Sequence, residues 1–277
     1  MKTKLVVIVG PTAVGKSDYT VKYAKKHNGE VISADSRQVY KGLDIGTGKI
    51  TKNEMRGVPH HLLDIANPKK QFNVGKYKEL VEKAIADISS RGKLPIICGG
   101  TGFYIDAVVK NISYPDVPHN NKLRKKFSTK SASELFLILK KLDRAFALKL
   151  NNSEKNNTHR LIRSIEIATA LGKIPKINKG KLLYEITWIK LSLPKEELQK
   201  RINNRLLKRI KQGMIKEVEN LHRNGLSWKR MDELGLEYRY ISLFLQNKIS
   251  KEEMVKLLQT EIWHYAKRQI LWFSKVK

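Results

Sequence analysis

Cysteine is almost absent from this sequence, which has Cys98 and no other in its 277 residues. One cysteine cannot build an internal disulfide framework or a cysteine-based zinc finger, and such sparse use is typical of a reducing compartment. The sequence also lacks an apolar run long enough to cross a bilayer, and its first apolar run leads into a glycine-rich loop. We therefore expect a cytoplasmic protein with no membrane span and no signal peptide.

Acidic residues are scarce as well, with 26 Asp and Glu against 55 Lys and Arg, a formal net charge of +29. Such an excess is unusual for a kinase of small metabolites and favours a polyanionic partner, above all RNA. A lysine-rich proteome is the alternative explanation. Hydrophobic residues make up 41% of the chain, enough for one large domain or for a core with an insertion. We find no internal repeat and no low-complexity tract.

The first glycine-rich loop carries the most specific pattern in the chain. An apolar run at residues 5–9, typical of a buried parallel strand, precedes Gly10-Pro11-Thr12-Ala13-Val14-Gly15-Lys16-Ser17. This is the P-loop pattern, in which backbone N–H groups, a lysine and the start of a helix surround phosphate groups. Ser17 supplies a hydroxyl suited to Mg²⁺. The loop predicts binding of a diphosphate or a triphosphate, and the pattern alone does not choose between them.

A second predicted strand, at residues 30–34, ends in Asp35. Ligands of open α/β sheets bind at the carboxyl ends of the strands, where this carboxylate would lie. Asp35 then either holds Mg²⁺ through water or acts as a general base towards an incoming nucleophile. An aspartate that only caps a turn or helix is an equally good interpretation of the local sequence.

Residues 42–51 and the two histidines that follow offer weaker signals. The first segment is polar and glycine-rich, so it predicts a loop, and its Gly46-Thr47-Gly48-Lys49 could touch phosphate but more often has no such role. His60 and His61 are adjacent, so on a strand they would point to opposite faces and could not share a metal ion. We assign them a structural role.

A third predicted strand, at residues 94–98, leads into Gly99-Gly100-Thr101-Gly102. The preceding helix would run from its cap at Asn73 to Arg91. The turn would bring backbone N–H groups and the Thr101 hydroxyl to the same edge as the P-loop. Glycines that only allow close packing of a helix are the alternative, and the convergence of three strand ends favours the site.

Strand signals are missing between residues 111 and 182, where we predict a helical insertion in the α/β core. It has a capping box at Ser131 and Glu134, a polar loop at residues 151–158 and a basic helix from His159 to Leu171. The predicted core is therefore residues 1–110 and 183–277. The basic side chains of the insertion either contact RNA phosphates or form a solvated face.

After a further strand at residues 183–193, Pro194 opens a helix with an apolar stripe and a basic stripe. Charged stripes are most often solvated, but Arg205, at mid-helix, is our choice for reaching the phosphate site. The last predicted helix, from a capping box at Ser250 and Glu253, mixes aromatic and basic residues. We expect its aromatic residues to lie mostly in the core and Lys267 and Arg268 to face RNA.

Taken in order, these segments resemble the bacterial tRNA dimethylallyltransferase (tRNA isopentenyltransferase) family. The shared motifs span nearly the whole chain, and those near residues 35–40, 99–104 and 266–273 are the specific ones. They are GPTAVGKS (10–17), DSRQVY (35–40), GTGK (46–49), PHH with LLDI (59–65), GGTGFY (99–104), HRLIRSIEI (159–167), RINNR (201–205) and AKRQILWF (266–273).

The resemblance implies a P-loop α/β core with a parallel sheet flanked by helices, plus an all-helical insertion that contacts tRNA. It implies transfer of a dimethylallyl group from dimethylallyl diphosphate to N6 of adenosine-37, beside the anticodon, with Mg²⁺. Asp35 would be the base, Thr101 and Arg205 would contact the diphosphate held by the P-loop, and Ser17, with Asp35 through water, would hold the metal. The implied tRNA contacts are Asp35, Ser36, Arg37, Gln38, Thr101, Arg124, His159, Arg160, Leu161, Ile162 and Arg163. We expect a monomer that binds the anticodon stem-loop.

Two other functions compete with this one. A P-loop kinase would use ATP on a small metabolite, although the charge and the lack of a recognisable adenine-binding or lid-arginine pattern argue against it. A non-enzymatic RNA-binding protein would keep the P-loop only as part of its fold.

Overall fold

Five parallel strands form the sheet of this computed structural model, which describes residues 2–176 and 180–276. Their order across the sheet is β3-β2-β4-β1-β5. The central strands carry mostly apolar residues because helices cover both faces, as parallel sheets require. The strands are β1 (Thr3–Val9), β2 (Gly29–Ala34), β3 (His60–His61), β4 (Leu94–Gly99) and β5 (Tyr184–Lys190).

Parallel pairing places the carboxyl ends of three strands side by side. Val9 at the end of β1 pairs with Gly99 at the end of β4, and Gly99 also pairs with Ala34 at the end of β2. The P-loop, Asp35 and the glycine-rich turn at residues 99–102 therefore begin at one edge of the sheet. This is the convergence that the sequence predicts.

The chain divides into two compact units. The first, called here the sheet unit, combines Met1–Asn111 with Gly180–Lys277, and the second, the helical unit, is Ile112–Lys179. The predicted parallel sheet with an all-helical insertion is confirmed. The domain boundaries predicted at 110/111 and 182/183 stay predictions. Residues 1, 177–179 and 277 belong to the predicted domains but lie outside the residues that the structure describes.

Nine helices are described in the sheet unit. α1 and α3 start where the sequence predicts, at Lys16 and after the cap Asn73, whose side chain accepts from Lys76 N. The nine are α1 (Lys16–Lys26), α2 (Lys52–Met55), α3 (Val74–Ser90), α4 (Gly102–Val109), α10 (Lys195–Lys211), α11 (Met214–Arg223), α12 (Trp228–Leu234), α13 (Leu236–Leu245) and α14 (Lys251–Phe273).

Apolar cores lie on both faces of the sheet and among the last five helices. Val7 and Ile97 pack with Tyr77 of α3, whereas Val6 and Ile96 pack with Val21 of α1. A separate cluster joins α10 to α14, and it also buries Val14 of the P-loop. The loop is thereby attached to both the sheet and the C-terminal helices.

The helical unit has an apolar core of its own, made chiefly by α6 and α9. The predicted capping box of Ser131 and Glu134 starts α6. One prediction is wrong here, because residues 151–158 are not entirely loop. Asn151 accepts from Glu154 N in a second capping box and starts a one-turn helix. The helices are α5 (Asn121–Phe127), α6 (Ala132–Leu142), α7 (Arg144–Ala147), α8 (Asn152–Lys155) and α9 (Thr158–Leu171).

Across the described ranges 2–176 and 180–276, no helix combines the length and the apolar composition needed to span a membrane.

Candidate active site

The P-loop connects β1 to α1 at the edge where β2 and β4 also end. Gly10 lies so close to the residue after β5 that a Cβ atom there would be 2.5 Å from the Leu191 carbonyl oxygen. Gly15 has a φ of +100°, a left-handed conformation that favours glycine, and directly precedes the first residue of α1. The loop backbone thus turns towards the N-terminus of α1, where an anion is stabilised.

Lys16 is held inside its own loop. Its Nζ donates to the carbonyl oxygens of Gly10 (2.9 Å) and Pro11 (2.8 Å). Burial lowers the pKa of Lys16 to about 8, Cys98 and Asp35 act in the opposite direction, and the nearby Arg205 lowers it further. A cation with this lowered pKa gains from the arrival of an anion, as functional lysines often do.

Asp35 follows the last residue of β2 and anchors the turn after it. Its Oδ1 accepts from the backbone N–H groups of Arg37 (2.8 Å) and Gln38 (3.3 Å). Within the described residues these contacts involve Oδ1 alone, so Oδ2 is available to another group. The two interpretations of this aspartate are therefore compatible: one oxygen caps the turn while the carboxylate lines a cavity.

Thr101 lies between the ends of β2 and β4. Its Oγ1 accepts from Ser36 N at 3.1 Å, and the side chain also interacts with Tyr265 of α14. The Thr101 N–H donates to the Ala34 carbonyl, which fixes the start of α4. The hydroxyl is thus held between the Asp35 turn and the last helix.

Arg205 of α10 contacts the P-loop and the glycine-rich loop at residues 42–51. Its Nη1 lies 3.3 Å from Thr12 Oγ1 in the P-loop, and its Nη2 donates to the Gly48 carbonyl at 3.3 Å. Burial lowers its pKa, and Arg209 adds to that effect. Gly48 has a φ of +60°, and a Cβ there would lie 2.1 Å from Arg205 Nη2. Residues 42–51 are the predicted loop, and they support the arginine.

Arg209 corrects the expectation that the basic stripe of α10 is solvated, because its surface is only 8% exposed. Its guanidinium donates to the carbonyl oxygens of Ile45 and Gly46 and pairs with Glu237 at 3.1 Å. Glu217 of α11 accepts from the N–H groups of the same loop. These contacts fix the loop that carries Gly48.

The cavity beside the P-loop has a volume of about 320 Å³. It is lined by both acidic and basic side chains, with Asp35 and Glu261 among the first and Arg209 and Arg268 among the second. A polar cavity next to a phosphate-type loop can hold a second substrate with hydrogen-bonding edges.

Arg37 and Gln38, two predicted tRNA contacts, also hold the surrounding backbone. Arg37 donates from Nε to the Leu234 carbonyl at 2.6 Å, and Gln38 Nε2 lies 3.5 Å from the Thr47 and Gly48 carbonyls.

The two adjacent histidines contact protein atoms, as a structural role requires. His60 contacts the Val58 carbonyl, and His61 contacts Glu30.

In the helical unit, Arg124 and Arg163 surround the buried carboxylate of Glu166. Arg124 Nε lies 2.6 Å from Glu166 Oε1, and Arg163 Nη1 lies 3.1 Å from Oε2. Burial by itself raises the pKa of Glu166, but hydrogen bonds from Arg124, Asn120 N and Arg163 outweigh it and hold the pKa at about 2. The side chains of the two arginines remain about one-third exposed, at 32% and 31%.

The predicted contact segment 159–163 divides between surface and core. His159 and Arg160 are exposed on the first turn of α9, whereas Leu161 is buried and Ile162 packs against the core of the unit. A side-chain contact with RNA from this segment would therefore come from the first two residues and Arg163. Whether any of them touches RNA stays a prediction.

A magnesium site was predicted at Ser17. No cluster of three His, Cys, Asp or Glu side chains that would hold a metal occurs in the part of the chain that the structure describes. Ser17 is exposed at the start of α1, and Asp35 keeps one oxygen available. One hydroxyl and one carboxylate fit Mg²⁺ that takes most of its ligands from water and substrate phosphates.

Sequence patterns missed some residues of this site. Four side chains reach the site from helices that are distant in the chain: Arg209, Glu217, Tyr265 and Gln269. The sequence predicted no role for residues 213–249, where α11 to α13 lie. The signal for Gln269 was its place in the motif AKRQILWF, which marks the helix but not the contact.

Comparison with known proteins finds one family model that matches residues 38–276, described as IPP transferase. A tRNA dimethylallyltransferase 2 of Treponema denticola is 43% identical over 100% of this chain and 93% of its own length. A tRNA dimethylallyltransferase of Anoxybacillus flavithermus is 41% identical over 99% of this chain and 88% of its own.

Solved structures give the same result. A tRNA isopentenylpyrophosphate transferase from Bacillus halodurans superposes with a TM-score of 0.73 at 36% identity, covering 99% of this chain and 88% of that one. A eukaryotic dimethylallyltransferase studied while acting on tRNA gives 0.81 at 28% identity, covering 98% and 69%. Because the family model covers most of the chain and the relatives match its full length, this protein belongs to the IPP transferase family.

Proposed function

We propose that this protein transfers a dimethylallyl group from dimethylallyl diphosphate to N6 of adenosine-37, next to the anticodon of tRNA. One observation carries the proposal: a P-loop with a lowered-pKa lysine, a half-buried arginine and an aspartate occupy one edge of the sheet. Family membership and the names of the relatives support it.

The reaction needs a base because the N6 lone pair of adenine is delocalised into the ring. N6 attacks C1 of the dimethylallyl group, and the bond between C1 and the diphosphate oxygen breaks with its electrons leaving on diphosphate. The N6 proton passes to the Asp35 carboxylate, whose Oδ1 is held by the turn and whose Oδ2 is available. Proton transfer to a placed base accelerates such steps by about 10²–10⁴-fold.

Positive charge around the P-loop serves the leaving group. Lys16 would exchange its two carbonyl partners for diphosphate oxygens. Arg205, which contacts Thr12 Oγ1 in the P-loop, would also donate to the diphosphate oxygens. Thr101 would add its hydroxyl. Each such contact is worth about 3 kcal/mol where negative charge develops in the transition state.

Mg²⁺ is the cofactor that we propose, with Ser17 as its protein ligand and Asp35 bound through water. It would neutralise part of the diphosphate charge and so improve the leaving group.

The tRNA contacts implied by the resemblance belong to the same proposal. Extracting an adenine from its stack costs a few kcal/mol, and less in a loop that is already partly single-stranded. The net charge of +29 favours the encounter with RNA. Action on the anticodon stem-loop, as a monomer in the cytoplasm, stays a prediction.

The test is nucleoside mass spectrometry after incubating the protein with an unmodified adenosine-37 tRNA, dimethylallyl diphosphate and Mg²⁺. We expect adenosine to gain the mass of one dimethylallyl group in place of one hydrogen, and the product to disappear in Asp35→Asn. An adenosine-37→guanosine tRNA is the matched control and should stay unmodified. No product here, together with hydrolysis of ATP in a parallel incubation that supplies ATP, would refute the proposal and favour a kinase.

A further inference from the structure

The last helix, α14, lies directly against the phosphate end of the site. Gln269 and Trp272 are one turn apart on one face of α14, and each meets a glycine of the turn after β4. A Cβ on Gly100 would lie 2.1 Å from Gln269 Nε2, and a Cβ on Gly102 would lie 2.3 Å from Trp272 Cδ2. The glycines of this turn therefore allow the close packing of α14. Close packing of a helix was the alternative to a phosphate site for these glycines.

Gln269 connects that turn to the P-loop. Its Oε1 accepts from Thr12 N at 2.7 Å, and its Nε2 donates to the Gly100 carbonyl at 2.9 Å. The residue is 5% exposed, so both bonds are sheltered from water. A buried amide with both ends bonded fixes the groups that it joins, since losing either bond leaves a polar atom unpaired.

Thr12 is thus held from two directions. Its backbone N–H is fixed by Gln269 and its hydroxyl is in contact with Arg205. The position of Thr12 governs the path of the loop between Gly10 and Gly15, and hence where the loop N–H groups point. A shift of about 1 Å in such a group can reduce activity by about 10²-fold.

We propose that Gln269 is a positioning residue that sets the shape of the P-loop for its diphosphate ligand, so that donor affinity depends on the C-terminal helix. Gln269 does not touch the ligand; it acts through Thr12 and Gly100. The identity of the donor rests on the proposed function, whereas the dependence of diphosphate affinity on Gln269 does not.

The experiment measures binding of inorganic pyrophosphate with Mg²⁺, and separately of tRNA, by calorimetry on the full-length protein. Gln269→Leu keeps the approximate size of the side chain and removes both hydrogen bonds. Because the Thr12 N–H and the Gly100 carbonyl lose their partner, we expect pyrophosphate affinity to fall by about 10- to 100-fold, with tRNA affinity within about twofold of the parent. Gln259→Leu, the same change on a less buried part of α14, is the matched control and should alter neither.

A second variant keeps the test valid if Gln269→Leu is poorly folded. Gly100→Ala should weaken pyrophosphate binding because its methyl group displaces the Gln269 amide. In a Gln269→Ala background that obstacle is gone, so adding Gly100→Ala should cost little more, a non-additive pair. Equal losses from Gly100→Ala in both backgrounds would overturn the proposal, as would parent-like pyrophosphate affinity in Gln269→Leu or parallel losses for pyrophosphate and tRNA.

Failure of the proposed function gives a different pattern. A parent that binds pyrophosphate but never modifies tRNA refutes the transfer reaction and leaves the role of Gln269 to be decided by the variants. A parent that binds no pyrophosphate refutes the role of Gln269 too, because no anion site would exist for it to shape.

Discussion

In the sheet unit, the cations Lys16 and Arg205 donate to carbonyl and hydroxyl oxygens, which carry no net charge. In the helical unit, Arg124 and Arg163 instead surround the carboxylate of Glu166. The two arrangements use similar side chains for different purposes.

The pKa shifts express the difference. Burial lowers the pKa of Lys16 and of Arg205, so their charges are held at a cost that an incoming anion can relieve. The pKa of Glu166 falls to about 2 because its arginines outweigh its burial. A cation whose hydrogen bonds go only to uncharged oxygens is typical of a ligand site, whereas a buried charge in an ion pair is typical of structure. We therefore expect the diphosphate to bind in the sheet unit.

The largest effect expected is that of Asp35→Asn. The amide cannot take up the N6 proton, so transfer should fall by about 10³-fold or more while tRNA affinity stays near that of the parent. Single-turnover transfer and equilibrium binding measure the two quantities. Asp87→Asn, at an exposed position on α3, is the control. Parent-like turnover in Asp35→Asn would exclude it as the base.

Lys16→Ala should have the next largest effect. Removing a cation that has no ion-pair partner and would contact the diphosphate should lower donor affinity and transfer together by about 10²–10³-fold. RNA affinity should not change, which would exclude a P-loop kept only for the fold. Lys22→Ala, on the exposed side of α1, is the matched control. A parallel loss of RNA affinity would contradict the separation of roles between the units.

Features that depend on residues close together in the sequence could be predicted, whereas contacts between distant segments could not. The P-loop, the strand ends and the capping boxes at Ser131 and Ser250 depend on residues within a few positions, and the structure has them as predicted. Arg205 was chosen from its place at mid-helix after a core strand, and it does contact the P-loop. Patterns of this kind are short-range and survive without tertiary information.

Contacts between distant segments were not accessible in the same way. The carbonyls that accept hydrogen bonds from Arg209 lie more than 160 positions away in the sequence, and Gln269 is 257 positions from Thr12. Glu166 received no role from the sequence, because neither its burial nor its pairing with Arg124, 42 positions earlier, shows in the local pattern. Such pairs are set by packing, which neither periodicity nor charge counting shows.

Glu166→Gln tests whether the second arrangement is structural. Breaking a buried ion pair typically costs about 3–5 kcal/mol, and less here because the arginines are partly hydrated, so we expect about 2 kcal/mol, roughly thirtyfold in local opening. Hydrogen exchange should accelerate in α5 and α9 and stay unchanged in the sheet. Glu134→Gln, an exposed capping residue, is the control. Unchanged exchange in α9 would show that the carboxylate does not stabilise this unit.

Arg163→Ala should give the smallest effect and tests whether a structural arginine also meets RNA. With its charge already shared with Glu166, its removal should weaken tRNA binding by only about 3- to 10-fold and reduce the salt slope by about one. Donor affinity should not change. Arg163→Lys keeps the charge and should keep the slope, so the pair separates lost charge from lost geometry. A larger loss for the donor than for tRNA, or an unchanged slope in Arg163→Ala, would assign Arg163 to the fold alone.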